Sequence, residues 1–309
     1  MTNIAISTIN MVKQFSNKRA VDGISLEVKE GEIFGILGPN GAGKTTMLRM
    51  LATLTKITEG SATIFTKDVA KESAAVRGLI GLTGQYATVD EELTAMENLV
   101  IFGRLNGLSS KVAKHRALEL LTQFSLMEAK DKAIREFSGG MRRRLDLAVS
   151  LITKPPLIFL DEPTTGLDPR TRGEMWEVIR NLVKDGSTIL LTTQYLEEAD
   201  QLADRIAIID HGKIVSQGTP EELKAQLGET YFEISLVDVK QVEEAKTAIQ
   251  EETAFDVIVL PERGALTVKV SDTKIMTKLL YLLESKAIEV QEFSVRKPTL
   301  DEVFLELTK

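Results

Sequence analysis

A glycine-rich segment at residues 38–45 has the composition and spacing of a phosphate-binding loop. It reads Gly-Pro-Asn-Gly-Ala-Gly-Lys-Thr and fits the pattern G-x-x-x-x-G-K-[ST]. Glycines let backbone N–H groups turn toward phosphate oxygens, and the positive end of a following helix points at the same anion. In this pattern Lys44 neutralises the β and γ phosphates, and the Thr45 hydroxyl is placed to bind Mg²⁺. The predicted nucleotide-binding residues here are Gly38, Pro39, Asn40, Gly41, Ala42, Gly43, Lys44, Thr45 and Thr46.

Two adjacent carboxylates end a short apolar run later in the chain. Leu157–Leu160 has the pattern of a buried strand, and Asp161 and Glu162 follow at its carboxyl end. Ligands of α/β sheets bind at that end of the strands. We therefore expect Asp161 to coordinate Mg²⁺ through water and Glu162 to polarise an attacking water. The alternative, two surface carboxylates at a strand end, becomes less favoured once a phosphate-binding loop is present.

A serine and two glycines at residues 138–140 precede a predicted helix. Ser138 can cap that helix, and Gly139 and Gly140 leave N–H groups exposed to an anion. The arginines at 142–144 are unfavourable beside the positive end of the helix dipole. They indicate either a nearby anion or a solvated basic face.

Taken together, the segments GPNGAGKTT, FSGGMRRRLDLA and LIFLDEPTTGLDP resemble the motifs of ATP-binding cassette (ABC) ATPases over residues 1 to about 218. The resemblance implies that Phe15 stacks on adenine, although a core phenylalanine is the alternative. It implies that Gln85 reaches Mg²⁺ and the γ-phosphate and links to a helical lobe. It also implies that Asp168 lies in a loop crossing a dimer interface. In that family, Ser138–Gly140 contact the ATP of the partner subunit, so that two chains enclose two nucleotides head to tail.

Two residues depart from the family pattern. Met141 stands where the family usually has glutamine, and Gln194 replaces the switch histidine. A glutamine amide can donate a hydrogen bond to the γ-phosphate but cannot carry a proton. We expect hydrolysis to persist through Glu162, with Gln194 and Lys44 as the other catalytic residues, and with a flatter pH dependence. The remaining histidines are predicted to lie on a helix surface and in a turn, at His115 and His211.

The Gln-Tyr pair at 194–195 and the C-terminal segment Arg296–Phe304 resemble the daunorubicin/doxorubicin-resistance type of exporter ATPase. With this segment the resemblance extends over the whole chain. It implies an ATP-binding and ATP-hydrolysing subunit that powers efflux of drugs, lipids or other small molecules, with ATP and Mg²⁺ as cofactors.

The elements that must position these residues alternate between strands and helices, which predicts a mainly parallel α/β sheet with an inserted helical lobe at about 86–150. Strands are predicted at Ile4–Ile9, Ile24–Val28, Glu32–Leu37, Leu157–Leu160, Thr188–Thr192, Arg205–Asp210 and Lys213–Ser216. Helices are predicted at Gly43 to about Leu54, from Thr94 (a capping box with Glu97) to about Phe124, from near Ser138, at Arg172–Lys184, from about Gln194 and from Thr219.

A change of pattern near Gly228 predicts two domains, a nucleotide-binding domain at 1–228 and an accessory domain at 229–309. The second is predicted to be ferredoxin-like, with the order βαββαβ and a final helix capped by Thr299. Its elements are Tyr231–Val237, Val242–Gln250, Val257–Leu260, Leu266–Val270, Lys274–Ser285 and Ile288–Val295. We expect this domain to contact a second copy or a permease, and a sensor for a small ligand is the alternative.

The composition agrees with such a protein. The 309 residues include 45 acidic and 38 basic side chains, a formal net charge of −7 that weighs against nucleic-acid binding. Cysteine is absent, which excludes disulfides and thiolate metal sites. No apolar run reaches the roughly 18 residues of a membrane span, and no secretory signal is evident.

The sequence thus predicts a cytoplasmic subunit, peripheral on the inner face of the cell membrane, whose partners are a separate permease and a second copy of itself. The lobe around Tyr86–Val100 is expected to receive the permease. Two other classes remain. A ribosome-acting or DNA-repair ABC ATPase resembles two fused cassettes or carries a long coiled coil, unlike this chain. A regulatory ATP-binding module that does not turn over would differ in ATPase activity.

Overall fold

The structure, a computed structural model, describes residues 3–84, 89–226, 230–253, 255, 257–260, 264–270 and 273–308. It consists of two compact units, Met1–Pro220 and Glu221–Lys309. The boundary expected near Gly228 and the expected start of the helical lobe at residue 86 both lie outside the described residues. No helix within the described ranges is long and apolar enough to cross a membrane.

The first unit contains ten of the described strands and seven of the described helices. The strands are β1 (Ile4–Phe15), β2 (Lys18–Lys29), β3 (Ile33–Leu37), β4 (Glu59–Ile64), β5 (Lys67–Asp68), β6 (Ile80–Thr83), β7 (Leu157–Asp161), β8 (Thr188–Thr193), β9 (Arg205–Asp210) and β10 (Lys213–Gly218). The helices are α1 (Lys44–Leu51), α2 (Ser73–Leu79), α3 (Ala95–Leu105), α4 (Ser110–Gln123), α5 (Gly139–Ser150), α6 (Pro169–Lys184) and α7 (Leu196–Leu202).

The central sheet has six strands in the order β10-β9-β3-β8-β7-β6. Strands β9, β3, β8, β7 and β6 are parallel, and β10 pairs antiparallel at one edge. Strands β3, β7 and β8 are buried along their whole length. Burial on both faces explains why they appear in the sequence as continuous apolar runs rather than alternating ones. The predicted α/β class with a mainly parallel sheet is confirmed.

Alternate residues of β7 point into two separate hydrophobic cores. Ile158 and Leu160 pack in one core with the apolar faces of α3, α4, α5 and α6. Leu157 and Phe159 pack in the other with α1 and with the second sheet of this unit. The period of two along a strand produces this division. The sheet is therefore held between two apolar layers, which fixes the carboxyl ends of its strands relative to one another.

A second sheet, antiparallel and in the order β2-β1-β4-β5, was not predicted. Strands β1 and β2 each extend over 12 residues, well beyond the segments expected at 4–9 and 24–28. Polar residues and register shifts interrupt their alternation, so the sequence indicated only the most apolar part of each strand. No element had been predicted over residues 59–83, where β4, β5, α2 and β6 lie.

Helix starts agree closely with the capping signals. Thr94 accepts a hydrogen bond from the Glu97 N–H, and the Glu97 carboxylate accepts one from the Thr94 N–H, which completes the predicted capping box. Helix α6 begins at Pro169, three residues before the predicted start, because Asp168 is its N-cap and proline suits the first helical position. Helix α7 begins at Leu196, two residues after the predicted start.

The second unit contains all of the short helix α8 (Pro220–Ala225) except its first residue. After this helix, the described elements occur in the predicted order βαββαβ with a final helix. They are β11 (Thr230–Leu236), α9 (Val242–Glu252), β12 (Val257–Leu260), β13 (Ala265–Val270), α10 (Thr273–Ser285), β14 (Val290–Arg296) and α11 (Leu300–Leu307). The antiparallel sheet has the order β12-β13-β11-β14. Residues of α9 and α10 form a single core with one face of this sheet.

Candidate nucleotide site

The loop between β3 and α1 packs so closely against the protein that only glycine fits at two of its positions. A Cβ on Gly38 would lie 2.2 Å from the Ile209 carbonyl oxygen, and one on Gly43 would lie 2.3 Å from the Ala20 carbonyl oxygen. Gly43 also has a φ of +109°, in the region that favours glycine. These contacts bring the loop between the end of β9 and β2, where its backbone N–H groups can face a phosphate.

The ammonium group of Lys44 is almost fully buried beneath this loop, with only 4% of the residue exposed. It donates to the carbonyl oxygens of Gly38 (2.8 Å) and Pro39 (3.1 Å) and lies 3.7 Å from Glu162 Oε1. Burial lowers the pKa of Lys44, against the opposing effect of the carboxylates of Glu162 and Asp161. The loop's own carbonyls therefore hold the cation at the point where the phosphates of a nucleotide would lie.

Asp161, at the end of β7, accepts two hydroxyl hydrogen bonds on one carboxylate oxygen. Thr45 donates across 3.1 Å and Thr192, from the adjacent strand β8, across 2.5 Å. A hydroxyl and a carboxylate at this distance are hard oxygen ligands of the kind Mg²⁺ prefers, and phosphate oxygens and water would complete its shell. The residues present fit a magnesium ion bound between α1 and β7.

Glu162 has a backbone conformation that side-chain-bearing residues seldom adopt, with a φ of +51°. Its N–H donates to the Thr192 carbonyl across 3.0 Å, and its carboxylate accepts from the Thr165 hydroxyl across 3.2 Å. Left-handed non-glycine residues persist only where the surrounding structure holds them, and they concentrate at functional sites. This conformation turns the carboxylate away from the strand direction and toward Lys44.

A cavity of about 310 Å³ brings part of the predicted set together, whereas Gly38, Pro39, Ala42, Asp161 and Gln194 do not line it. Its lining consists of Phe15, Lys18, Ala20, Asn40, Gly41, Gly43, Lys44, Thr45, Thr46 and Glu162. Phe15 ends β1 with 51% of its surface exposed, so it is not the core phenylalanine of the alternative interpretation. The Lys13 ammonium lies 4.9 Å from the centre of the ring. The lining combines an aromatic ring, the glycine-rich loop and a carboxylate. These groups suit the base and the phosphates of a nucleoside triphosphate.

The serine and glycines at the start of α5 lie outside this cavity. Ser138 caps α5 by accepting from the Met141 N–H, and Gly139 has open space where a side chain would be. A Cβ on Gly140 would lie 2.5 Å from the Thr171 methyl carbon, so α5 and α6 approach closely at their starts. Thr171 in turn donates to Asp168, which is exposed and lies outside the cavity as well.

The arginines at 142–144 have partners within the chain rather than the anion that their positions suggested. Arg142 donates to Glu91, and Arg144 donates to the Phe124 carbonyl. Arg143 donates to backbone carbonyl oxygens at the end of β7. Oxygens of the same chain thus offset the unfavourable charge at the start of α5.

Gln194 directly follows β8 and is partly buried. The N-cap of the next helix is Tyr195, so Gln194 does not occupy the capping position. Gln85 lies outside the described residues. His115 is on the surface of α4, and His211 is in the turn between β9 and β10, as predicted.

Sequence reasoning overlooked Thr192 and Arg143. Thr192 ends an apolar run, as Asp161 does, and two such runs on adjacent parallel strands place their last residues side by side. That signal could have identified Thr192. Nothing in the sequence indicates the inward direction of Arg143, which stands between two other arginines.

Comparison with known families and proteins agrees with this geometry. A family model described as ABC transporter matches residues 21–165, and one described as ATP-binding protein DrrA1-3-like, C-terminal domain, matches residues 218–308. The daunorubicin/doxorubicin resistance ATP-binding protein DrrA of Streptomyces peucetius is 49% identical over 98% of this chain and 92% of that protein. The Nod factor export ATP-binding protein I of Rhizobium sp. (strain N33) is 38% identical over 100% of this chain and 98% of that protein.

Among solved structures, the chain resembles a dimeric ATP-binding cassette in a post-hydrolysis state with bound ADP and phosphate. The TM-score is 0.63 at 28% identity, covering 69% of this chain and 98% of that one. The likeness thus covers nearly all of that cassette and leaves out about a third of this chain.

Proposed function

The chain belongs to the ATP-binding proteins of ABC transporters, in the DrrA-like group of exporter ATPases, and from that premise we propose which residues perform its reaction and which partners it requires. It binds and hydrolyses ATP to power an exporter. The observation that supports the residue assignment best is the cavity in which Phe15, Lys44, Thr45 and Glu162 meet.

The roles that we propose for the site residues follow from their chemistry. Phe15 stacks on the adenine ring. The backbone N–H groups of the loop at residues 38–46, of which Pro39 has none, bind the phosphates together with the Lys44 ammonium, and binding draws that ammonium away from its present carbonyl partners. Glu162 accepts a proton from the attacking water. Its carboxylate lies 3.7 Å from the Lys44 ammonium and is therefore close to the place proposed for the phosphates. Gln194 donates a hydrogen bond to the γ-phosphate.

Magnesium is the metal that the site fits. Thr45 and Asp161 would hold it, with Gln85 as a third residue toward it. Bound there, the ion would neutralise charge on the β and γ phosphates. Thr192 orients the Asp161 carboxylate through its hydroxyl hydrogen bond.

A second copy of the chain completes the nucleotide site. Ser138, Gly139 and Gly140 lie outside the cavity of their own chain, and the open space at Gly139 leaves their N–H groups accessible. In a head-to-tail dimer they contact the γ-phosphate bound by the other chain, and Asp168 lies in the loop that crosses the interface. The dimeric cassette structure that this chain resembles supports such an arrangement.

A membrane permease is the other partner. The relatives include proteins of drug resistance and of Nod factor export, which supports efflux of a small molecule through spans that another chain provides. We place the protein on the inner face of the membrane, with the helical lobe at about 86–150 against the permease. Residues 1–228 then form the nucleotide-binding domain and 229–309 an accessory domain that contacts the second copy or the permease.

Replacing Glu162 by glutamine tests the assignment. Glu162→Gln keeps the shape of the side chain and removes the proton acceptor, so turnover should fall by about 10²-fold or more while ATP still binds. The trapped ATP should favour a dimer, which size-exclusion chromatography with MgATP detects. Glu177→Gln is the matched control, because Glu177 is an exposed carboxylate on α6, and this variant should keep normal turnover. Normal turnover in Glu162→Gln would exclude Glu162 from the reaction.

A further inference from the structure

The guanidinium group of Arg143 points from α5 into the carboxyl-terminal edge of the central sheet. Its Nε donates to the Pro163 carbonyl across 2.8 Å, and its Nη2 donates to the carbonyls of Asp161 (3.1 Å) and Glu162 (2.8 Å). Its Nη1 donates to the Gly84 carbonyl across 2.9 Å. One side chain thus binds the carbonyls of three consecutive residues, beginning with the last residue of β7, and one carbonyl directly after β6.

Only arginine can make this set of contacts. Its planar guanidinium has five N–H donors in a fixed fork, whereas lysine has a single nitrogen. Hydrogen bonds from a charged donor are shorter and stronger than neutral ones. Burial lowers the pKa of Arg143, and the carboxylates of Asp146 and Asp161 act against that change. The carbonyl dipoles also face the positive charge, so the group is held in place from several sides.

The three consecutive carbonyls include that of a residue with an uncommon backbone conformation. Glu162, with its φ of +51°, lies in the middle of the three consecutive residues. A residue in this region keeps its conformation only when the surrounding structure determines it. On one side the Glu162 N–H is bound to Thr192, and on the other side its carbonyl is bound to Arg143. Both peptide groups of Glu162 are therefore fixed by partners distant in sequence.

The neighbouring arginines do not reach this edge of the sheet. Arg142 donates to Glu91, and Arg144 donates to Phe124, both of which belong to the helical part of the unit. The cavity that holds Lys44 and Glu162 is not lined by Arg143. Arg143 thus contacts the backbone that positions the cavity residues without facing the nucleotide itself.

We propose that Arg143 is a positioning residue for ATP hydrolysis, because it holds the Glu162 main chain in the orientation that directs the carboxylate to the attacking water. This inference rests on the proposed role of Glu162 as the proton acceptor. Through Gly84 the same guanidinium fixes the residue that immediately precedes Gln85. Because α5 begins with Gly139 and Gly140, the side chain also links the dimer-facing loop to the hydrolytic carboxylate.

Replacing Arg143 should therefore lower the rate of catalysis without weakening ATP binding. Arg143→Met keeps the aliphatic length and removes all four hydrogen bonds, so Glu162 should lose its fixed direction. A displacement of about 1 Å at a reacting group can cost about 10²-fold in rate, so we expect kcat to fall at least tenfold. The phosphate loop is not touched, and the Kd for ATP should remain within about twofold of the wild-type value.

The experiment uses the full-length chain and measures kcat, the Kd for ATP and the melting temperature on the same samples. Arg116→Met is the matched control, because Arg116 also donates to a backbone carbonyl, that of Leu151, from a helix of the same unit. It should lower the melting temperature without changing kcat. Arg143→Lys restores the charge but not the fork, and its kcat should lie between those of wild type and Arg143→Met; it also provides the test if Arg143→Met does not fold.

Three results would overturn the inference. The first is a kcat per folded molecule within about twofold of wild type in both Arg143 variants. The second is a loss of ATP affinity that matches the loss of kcat, and the third is an equal loss of kcat in Arg116→Met. Glu162→Gln, measured in parallel, distinguishes a failure of the proposed role of Glu162 from a failure of the proposed role of Arg143. Normal turnover in Glu162→Gln would refute the proposed role of Glu162, whereas an inactive Glu162→Gln beside a fully active Arg143→Met would refute the role of Arg143 alone.

Discussion

Gln194 stands where the resemblance to ABC ATPases implies a switch histidine. It follows Thr193 at the end of β8, one residue beyond the strand whose Thr192 binds both Asp161 and the Glu162 N–H. This position puts Gln194 at the same edge of the sheet as Asp161 and Glu162. The amide can donate to a γ-phosphate oxygen, but unlike imidazole it does not titrate near neutral pH.

Replacing Gln194 should therefore affect the rate more than binding. In Gln194→Ala the γ-phosphate loses one donor just as charge redistributes in the transition state, which is typically worth about 10²–10³ in kcat when the donor is fully engaged. Gln194→His should retain substantial activity and gain a dependence on pH near neutrality. Steady-state kinetics between acidic and alkaline pH checks both. A normal kcat in Gln194→Ala with a lowered melting temperature would show that this residue does not meet the nucleotide.

At the scale of elements, helix α7 is joined to its surroundings by a buried carboxyl group. Glu198 is fully buried, and its Oε1 accepts from the Thr164 hydroxyl (2.8 Å) and from Trp176 Nε1 (3.4 Å). These donors lie in the turn after β7 and in α6. Burial raises the pKa of Glu198, while the hydrogen bonds it accepts act in the opposite direction. Thr164 and Trp176, which lie on either side of Asp168 in the sequence, thus both donate to the Glu198 carboxyl group.

The raised pKa predicts how stability changes with pH. The native state holds the Glu198 proton more tightly than the unfolded state, so its contribution is fully present below the ordinary value of 4.5 and is lost as pH rises through the native pKa. Glu198→Gln keeps the acceptor oxygen and cannot ionise. Between about pH 4 and pH 8, its melting temperature relative to wild type should therefore rise once the pH exceeds the ordinary value of 4.5, and it should level off above the native pKa of Glu198.

Thermal unfolding monitored by circular dichroism across this pH range tests the prediction. Glu197→Gln is the control, since that neighbouring side chain is 69% exposed and its replacement should give a smaller change with pH. A difference between Glu198→Gln and wild type that stays constant with pH would mean that the Glu198 carboxyl does not titrate differently in the folded and unfolded protein.

At the scale of the whole molecule, the proposed dimer makes each active site from two chains. Lys44→Ala damages the phosphate loop, and Gly139→Asp would place a negative charge against the γ-phosphate of the other chain. Each variant alone should be inactive. In a mixed dimer one site has both defects and the other has none, so mixing equal amounts should restore about a quarter of wild-type sites under random pairing.

Measuring ATPase activity of the two variants before and after mixing decides the question. Recovery on mixing requires that Lys44 and Gly139 act from different chains. If both residues served the site of their own chain, no combination of the two variants would contain an intact site. The mixture would then be as inactive as its components.

Much of this architecture could be predicted because its signals are local in sequence. The strand and helix on either side of residues 38–43, the capping boxes at Thr94 and Thr299 and the βαββαβ order of the second unit were all correct. The antiparallel sheet and the elements of residues 59–83 were missed. Their strands are short or interrupted by polar residues, so no hydrophobic period marks them before their partners are known.

For the site, the sequence alone determined which residue types are present and at what spacing: a lysine and a threonine at the end of a glycine-rich loop, and two carboxylates after a buried strand. Only the tertiary structure decided their directions. Lys44 and Glu162 lie 3.7 Å apart, and Arg143 reaches the carbonyls beside Glu162, because the packing of α1, α5 and β7 brings them together. Such contacts join residues far apart in the chain, and a linear pattern contains no information about the angle at which two packed elements meet.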